Sequence, residues 1–354
     1  MINLTFTFSR LAAILAGLLA VTAVYFLLQP DRVTHNSPVS ITGLTMGTSF
    51  EVQFFSSPDT ASSAKLQQEI NALLNRLDRQ LFSIYVPDSE ISRFNQIPVA
   101  TAFPVSSEFI DLFAKALYVH DISEGAFDLT MAPLVNLWGF GATEQNNLPP
   151  SETKIMQALR STGMEKVVVE SDSSTLKKTL PVQLDMGGIA KGFAAQELAR
   201  LLDKYGIRNY LVEIGGELVS KGRNIAADRP WQLAIEAPDS SKRKALQLLT
   251  LPAQKWAIAT SGSYRNYFER GGRQFSHEID PRNGWPVEHN LVSATVLHEE
   301  GAVADALATA MMVMGYEKSV ALAKKEKLAI FLVREANGEF LTYSSKKMQE
   351  FCKQ

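Results

Sequence analysis

Apolar residues recur along this chain with two periods, and each period predicts one kind of element. Where they return every three or four positions they indicate amphipathic helices, and where they alternate or form short runs between turn residues they indicate strands. The first spacing predicts helices after the capping residues 106–108 and over 64–82, 89–94, 151–161, 192–206, 301–315 and 320–327. The second predicts strands over 41–55, 167–169, 182–184, 210–214, 231–236, 246–251, 256–260, 292–297, 329–333 and 340–343.

Strands in sequential pairs, separated by helices, indicate an α+β protein. We expect one composite domain of mixed and antiparallel sheets with flanking helices over residues 41–354, and no internal repeat is visible. The glycines and aromatic residues between positions 124 and 141 are typical of a loop packed against a ligand or a second element. Residues 142–150 are polar, end in prolines and are expected to be a linker.

The N-terminal segment differs in kind, because residues 11–28 form an uncharged apolar run preceded by Arg10. A helix of that length spans about 27 Å, close to the thickness of the hydrocarbon core. A cleaved signal peptide and a retained anchor both fit, and the bulky residues 25–28 favour the anchor because they make a poor cleavage site. We expect a single-pass anchor over 1–30 and a tether over 31–40. With Arg10 inside, the main domain of a bacterial protein would lie in the periplasm, on the outer side of the inner membrane.

The composition is that of a globular protein, with 354 residues, 46% hydrophobic and 20% charged. A formal net charge of −2 gives no electrostatic reason to expect nucleic acid as a partner. The single cysteine, Cys352, excludes an intramolecular disulfide and a cysteine-based zinc site. The five histidines lack the HExxH spacing, which argues against a transition-metal site.

The stretch with the strongest chemical character is 184–192, Leu-Asp-Met-Gly-Gly-Ile-Ala-Lys-Gly, between a predicted strand and a predicted helix. The free N–H groups of a helix N-terminus attract anions, and paired glycines let a ligand approach the backbone. Lys191, in the opening turn of the helix, is unfavourable unless a negative group lies nearby. The loop therefore indicates a phosphate site, and a tight turn without a ligand is the alternative. Its spacing matches neither the P-loop nor the GxGxxG pattern.

A second group of candidates lies on the predicted helix over 301–315. Asp305 and Thr309 are four positions apart and share one helix face. A carboxylate and a hydroxyl beside backbone carbonyls are hard oxygen ligands suited to Mg²⁺. The alternative is that Asp305 lies in the first helical turn only because a negative charge favours the helix dipole there.

The other candidates carry less information. His277 precedes Asp280 in a loop, where a histidine is more often solvated or structural than a base. Ser261 and Lys191 are the residue types of a Ser/Lys hydrolase, but 70 residues separate them and no nucleophile-elbow motif is present.

Eight short motifs follow one another along the chain: Met46-Gly47-Thr48, Gly125-Ala126-Phe127-Asp128, Trp138-Gly139-Phe140-Gly141, residues 184–192, Gly215-Gly216-Glu217, Thr260-Ser261-Gly262, residues 277–284 and residues 304–309. Each alone has little specificity. In this order, over about residues 46–331, they resemble the FAD:protein FMN transferase family, the ApbE-type flavin transferases.

The resemblance implies an ApbE-like fold with a site for FAD and Mg²⁺. It implies that FAD is bound by Met46, Tyr85, Ala126, Phe127, Asp128, Asp185, Lys191 and Ile279. It implies Mg²⁺ ligands at Gly188 (through its backbone oxygen), Asp305, Ala308 and Thr309.

The chain also departs from the family pattern. An apolar run stands where many relatives carry a lipid-anchoring cysteine, and Leu129 and Asn283 replace a proline and a threonine. Ala308 stands where some relatives offer a carboxylate, so this position can give the metal only its carbonyl oxygen.

The activity implied by the resemblance is Mg²⁺-dependent transfer of the FMN moiety of FAD to a threonine hydroxyl of an acceptor protein, with release of AMP. His277 is the first candidate for the base that takes the hydroxyl proton, and Asp280 is the second. The N-terminal run suggests acceptors that are themselves held in the membrane, such as subunits of redox complexes. The alternatives are a Mg²⁺-dependent FAD pyrophosphatase and a non-catalytic periplasmic flavin-binding protein.

Overall fold

The structure, a computed structural model, describes residues 38–55, 63–141, 149–170, 174–238, 244–263, 267–270 and 273–352. The predicted anchor, nearly all of the tether and residues 142–148 of the predicted linker lie outside these ranges, so they stay predictions. No helix within the described part of the chain is long and apolar enough to cross a membrane.

Helices form where apolar residues recur at three and four, and three of them are capped by serine side chains, those of Ser89, Ser106 and Ser345. Ser89 accepts a hydrogen bond from the Ser92 N–H, and Ser106 from the Phe109 N–H. The helices of the described residues are α1 (Ser63–Asn75), α2 (Glu90–Gln96), α3 (Ser107–Ile122), α4 (Ala132–Leu137), α5 (Glu152–Leu159), α6 (Ala190–Lys204), α7 (Gly301–Met314), α8 (Tyr316–Lys325) and α9 (Lys346–Gln349).

The largest sheet among the described residues is eight-stranded and antiparallel throughout, in the order β1-β2-β6-β7-β12-β15-β16-β17. Its strands are β1 (Val39–Thr45), β2 (Thr48–Phe54), β6 (Tyr210–Ile214), β7 (Glu217–Lys221), β12 (Trp256–Gly262), β15 (Leu291–His298), β16 (Ala329–Ala336) and β17 (Glu339–Ser344). The predicted strand over 41–55 is a hairpin that turns at Met46 and Gly47, which both have positive φ.

Short strands form small antiparallel sheets at the periphery, with β5 between β3 and β4, and with the pairs β8–β9, β10–β11 and β13–β14. These strands are β3 (Ala102–Pro104), β4 (Val167–Glu170), β5 (Thr175–Lys178), β8 (Arg223–Asn224), β9 (Arg229–Pro230), β10 (Gln232–Glu236), β11 (Ala245–Thr250), β13 (Tyr267–Arg270) and β14 (Arg273–Ser276). The predicted α+β class, with antiparallel sheets and flanking helices, is confirmed.

Both faces of the large sheet are covered by hydrophobic cores. Along β12, Ala257 and Ala259 belong to the core under the helices, while Ile258 between them belongs to a core on the other face. Helix α7 packs on β12 and β15, and α6 packs on β6 and β7. The two helices therefore lie side by side on one face of the sheet.

The first turns of α6 and α7 are in backbone contact through two glycines. A Cβ added to Gly192 would lie 2.2 Å from the Gly301 carbonyl oxygen, and one added to Gly301 would lie 2.3 Å from that of Gly192. Only residues without a side chain allow this approach. It brings together Lys191, which directly precedes Gly192, and Asp305, which lies four positions after Gly301.

The predicted strand over 182–184 is wrong. The partner of β4 is β5, and residues 182–184 pair with no strand among the described residues. The side chain of Asn95 takes the place of a strand: its Oδ1 accepts from the Leu184 N–H at 2.7 Å, and its Nδ2 donates to the Leu184 carbonyl at 2.9 Å. Val182 and Leu184 are buried. The alternation of apolar and polar residues therefore predicted their burial correctly, but it did not predict their hydrogen-bond partner.

Two further predictions need correction. The predicted helix over 64–82 is helical throughout, but residues Arg76–Phe82 form a π-helical segment after α1. The glycine- and aromatic-rich stretch contains the short helix α4, which begins with Pro133 in its first turn. The expectation that this stretch packs on a second element holds, because the Trp138 Nε1–H donates to the Gly284 carbonyl at 2.8 Å.

Replacing Gly192 with alanine should destabilise the fold by roughly 1–3 kcal/mol, the usual cost of overpacking, because the new methyl group would overlap the Gly301 carbonyl. Chemical denaturation of both proteins measures the difference. Gly338→Asn is the control: its φ of 78° suits asparagine, and an added Cβ would meet nothing within 4 Å. Equal stability of the two variants would show that the helices do not need this close contact.

Candidate functional site

Two adjoining cavities lie at the glycine loop, and Gly187, Gly188, His277, Glu278 and Thr309 line both. The apolar cavity has a volume of about 200 Å³, and its walls include Ala126, Phe127, Leu129, Met131, Val135, Phe140, Ile279 and Val313. The polar cavity has a volume of about 360 Å³, and its walls include Lys191, Glu217, Thr260, Ser261 and Asp305.

Most of the predicted site residues come together at these two cavities. Ala126, Phe127, Asp128, Asp185 and Ile279 line the apolar cavity, Lys191 and Asp305 line the polar cavity, and Gly188, His277 and Thr309 line both. Met46, Tyr85, Asp280 and Ala308 line neither. A larger cavity of about 910 Å³ beside Trp256 contains none of the predicted residues.

The glycine loop is held by its own acidic residue and by the backbone beside it. The Asp185 carboxylate accepts from the Gly187 N–H at 2.8 Å, and the Asp185 N–H donates to the Leu129 carbonyl at 2.7 Å. Burial raises the pKa of Asp185, and the hydrogen bond from Gly187 offsets this only in part. The loop is therefore tied to the wall of the apolar cavity, which Asp185 also lines.

Lys191 has its negative partners within the protein. Its Nζ lies 2.8 Å from Oε1 of Glu217, at the start of β7. Burial lowers the pKa of Lys191, but the charges of Asp305 and Glu217 outweigh burial and raise it overall. A lysine at the positive end of α6 is thus explained first by two carboxylates of the chain, before any phosphate is considered.

Asp305 is 3% exposed and accepts a hydrogen bond from the Gly192 N–H at 2.9 Å. The predicted alternative, that Asp305 stabilises the dipole of its own helix from the first turn, is wrong, because α7 begins at Gly301 and Asp305 lies beyond its first turn. The Asp305 carboxylate instead accepts a hydrogen bond at the N-terminus of α6. Burial raises the pKa of Asp305, although Lys191 opposes the shift.

The polar cavity has two buried acidic groups and one lysine in its walls. Glu217 is 3% exposed, and its Oε2 is buried with no hydrogen-bond partner among the described residues. Burial, and then the charge of Asp305, raise the pKa of Glu217. Two carboxylates against one ammonium, with an unpaired carboxylate oxygen, form an environment that a cation would stabilise.

The groups around this cavity include oxygen donors of the kind that Mg²⁺ prefers. The described residues contain no cluster of three or more His, Cys, Asp or Glu side chains suited to a metal. Asp305 offers a carboxylate, Thr309 a hydroxyl and Gly188 a carbonyl, which are hard ligands that leave positions open for phosphate or water. Gly188 approaches Thr309 closely, since an added Cβ would lie 3.1 Å from Thr309 Oγ1. Ala308 is fully buried in α7.

The polar groups of the apolar cavity are tied to their neighbours. Asp128 accepts from the Thr130 N–H at 2.6 Å, and burial raises the pKa of Asp128. The Phe127 carbonyl accepts from Nδ1 of His120 on α3 at 2.8 Å, so that ring nitrogen carries the proton. These contacts position the backbone of 127–128 while leaving the hydrophobic wall free for a flat, apolar group.

The two candidate bases have different surroundings. His277 lies at the junction of the cavities, with Nε2 3.2 Å from Oε1 of Glu278 and its ring edge-on to Phe140. Asp280 lines neither cavity, and its carboxylate accepts from Nε and Nη2 of Arg282 at 2.7 and 2.6 Å. The lone pairs of Asp280 are thus committed to an arginine, which favours His277.

Met46 and Tyr85 are separate from both cavities. The Met46 N–H donates to Oδ2 of Asp78 at 3.2 Å, and Tyr85 is 69% exposed. Their predicted contact with FAD stays a prediction.

Sequence reasoning missed three residues around the site. Glu217 belongs to the Gly215-Gly216-Glu217 motif, and its position after two glycines was the only feature of the sequence that could have marked it as a site residue. Asn95 gave no signal because its partner Leu184 is 89 residues away. His120 stood on a predicted helix as one more core position.

Known proteins resemble this chain in sequence and in fold. A sequence model of the ApbE family matches residues 46–332. The FAD:protein FMN transferase of Haemophilus influenzae is 37% identical over 95% of this chain and 98% of its own length. A solved structure of flavin transferase ApbE from Vibrio cholerae has a TM-score of 0.81 at 37% identity, covering 89% of this chain and 99% of that one. The apo form of flavinyl transferase ApbE from Pseudomonas stutzeri has a TM-score of 0.82 at 39% identity, covering 89% and 96%.

Replacing Asn95 with leucine should loosen the glycine loop, because the backbone N–H and carbonyl of Leu184 lose both partners. The expected cost is about 1–3 kcal/mol, together with faster amide hydrogen exchange over residues 182–188. Asn95→Asp keeps only the acceptor and should fall between wild type and the leucine variant. Asn209→Leu, which breaks a hydrogen bond to the Arg223 N–H, is the control. Unchanged exchange in Asn95→Leu would show that the loop holds itself.

Proposed function

The chain belongs to the ApbE family and is a flavin transferase, and we propose that it carries out Mg²⁺-dependent transfer of the FMN moiety of FAD to a threonine hydroxyl of an acceptor protein. The products are AMP and a flavoprotein with a phosphoester link.

One observation carries the proposal: Gly187 and Gly188 line an apolar cavity and a polar cavity at once. FAD has the matching chemistry, with a flat, largely apolar ring system joined to a pyrophosphate. A flavin in the apolar cavity would direct its phosphates to the N-terminus of α6, where Lys191 supports a developing negative charge. The glycines allow the phosphates to approach the backbone.

Asp305, Thr309 and the Gly188 carbonyl would hold the magnesium ion beside these phosphates. Bound there, the ion would neutralise phosphate charge and stabilise the leaving AMP. The two buried acidic groups beside one lysine, with one carboxylate oxygen unpaired among the described residues, support this assignment.

The threonine Oγ of the acceptor forms a bond to the phosphorus on the FMN side while the bond from that phosphorus to the bridging oxygen breaks. AMP leaves with the electron pair. His277, at the junction of the cavities, takes the hydroxyl proton, since a neutral imidazole is a base near neutral pH. Glu278, 3.2 Å from Nε2, would stabilise the imidazolium that forms.

We place the protein in the bacterial inner membrane, anchored through residues 11–28 with its domain in the periplasm. The uncharged run and Arg10 before it support this placement. Acceptors held in the same membrane, such as subunits of redox complexes, would be within reach of the site.

The test incubates the full chain in detergent with FAD, MgCl₂ and a candidate acceptor protein, followed by mass spectrometry of the acceptor. A gain of one FMN, lost when the acceptor threonine is changed to valine, supports transfer. Free FMN and AMP with an unmodified acceptor would instead assign a pyrophosphatase. Unchanged FAD bound to the protein would assign a flavin-binding protein.

Asp305→Ala should abolish transfer, with a loss of at least about 100-fold, the size expected when an electrostatic group of an active site is removed. Glu90→Gln is the matched control: it is also a buried carboxylate that accepts from a backbone N–H, that of Ser106, and should keep full activity. Thermal unfolding checks that both variants are folded. A folded Asp305→Ala protein that transfers FMN at the normal rate would contradict the assignment of Asp305 as a metal ligand.

His277→Ala should lower kcat by roughly 100- to 10,000-fold, the usual contribution of general base catalysis, while FAD affinity changes little. Asp280→Asn should lower kcat less, because its carboxylate is engaged with Arg282. Single-turnover transfer and flavin fluorescence measure the two quantities. The reverse order of effects would assign the base to Asp280.

A further inference from the structure

Resting on this proposed function, we propose that Glu217 is a positioning residue that fixes the ammonium group of Lys191 for the phosphates of the bound nucleotide and keeps it from pairing with Asp305. The motifs assign no role in the reaction to Glu217. It lies on β7, a strand that contains none of the predicted site residues.

The turn before Glu217 is built to place this side chain. Gly215 and Gly216 both have positive φ, 59° and 103°, and connect β6 to β7. A Cβ on Gly215 would lie 2.6 Å from Cγ2 of Thr48, so the turn is packed against the start of β2. The Glu213 carboxylate accepts from the Gly216 N–H at 2.6 Å. The first residue after this turn is therefore fixed, and its side chain enters the polar cavity.

Glu217 acts on Lys191 through a direct contact. The Nζ–Oε1 distance is 2.8 Å, and the two side chains are 30% and 4% exposed. A free lysine loses rotamer entropy when it is held in one place. The contact with Glu217 orders the lysine before a ligand arrives, so less of this cost falls on binding.

Asp305 is the competing partner for the lysine. Its charge acts on Lys191, yet no ion pair within 4.0 Å joins the two side chains among the described residues, whereas Lys191 and Glu217 form one. Without Glu217, the ammonium group would move towards the remaining buried carboxylate. Asp305 would then be neutralised by a lysine instead of remaining free for a cation.

The unpaired oxygen of Glu217 argues against a purely structural role. Oε2 is buried without a partner among the described residues. Burying a carboxylate that is only half satisfied costs stability, and a protein with apolar residues of similar size in place of both Glu217 and Lys191 would fold at least as well. Asp203 on α6 provides the contrast: its carboxylate oxygen Oδ1 accepts from both Lys221 and Tyr210.

A double-mutant cycle tests the inference through binding, without requiring transfer. FAD affinity is measured by flavin fluorescence for the full chain, Glu217→Gln, Lys191→Met and the double variant, at several MgCl₂ concentrations. Glu217→Gln should weaken binding by roughly tenfold, the range of a charge-assisted contact, and should raise the Mg²⁺ concentration needed for half-maximal binding. Both effects should disappear when Lys191 is already methionine.

Asp203→Asn, which breaks the pair with Lys221 near the other end of β7, is the control and should leave FAD affinity and its Mg²⁺ dependence unchanged. Additive effects of the two substitutions, or a loss of thermal stability with normal FAD affinity, would overturn the role of Glu217. Normal coupling in a protein that binds FAD but transfers nothing would overturn the proposed function and leave this inference standing. Absence of FAD binding in the wild type would overturn both.

Discussion

The contact between the first turns of α6 and α7 is the constraint on which the site depends. Helix N-termini carry positive partial charge and repel each other at short range. Here they meet with only Gly192 and Gly301 between them, and the buried carboxylate of Asp305 accepts from the Gly192 N–H. One acidic side chain therefore stabilises the crossing of the helices and also forms a wall of the polar cavity, so fold and site cannot be separated at Asp305.

The rest of the site is arranged around this crossing as two unlike environments. The hydrophobic wall of the apolar cavity comes mainly from residues 126–140, which hydrogen bonds from His120 and Thr130 hold in place. The polar cavity is lined from α6, α7, β7 and β12, where charge is concentrated and incompletely paired. Because the glycine loop borders both, a ligand with one apolar and one anionic part fits them together better than either part would alone.

The sequence predicts the fold class well, because buried positions recur along the chain with the period of a helix or a strand. It predicts strand pairing poorly, because nothing in the local sequence shows which segment a strand or loop will bind. Val182 and Leu184 alternate like a strand and are buried, but their hydrogen bonds go to the side chain of Asn95, 89 residues away from Leu184. Most of the candidate site came from the motif resemblance. The position of Lys191 indicated a negative neighbour, yet only the structure identifies Glu217 and Asp305 as that neighbour.

The surroundings of Ala308 explain why this chain departs from the family pattern at position 308. Ala308 is fully buried where α7 packs on the sheet, and a carboxylate added there would overpack the core. The polar cavity nevertheless has a second acidic side chain in its walls, because β7 supplies Glu217. Glu217 contacts Lys191 instead of completing the ligand set. Under the two proposals made above, the two acidic groups have different tasks: Asp305 would bind the metal ion, and Glu217 would hold the ammonium group of Lys191 away from Asp305.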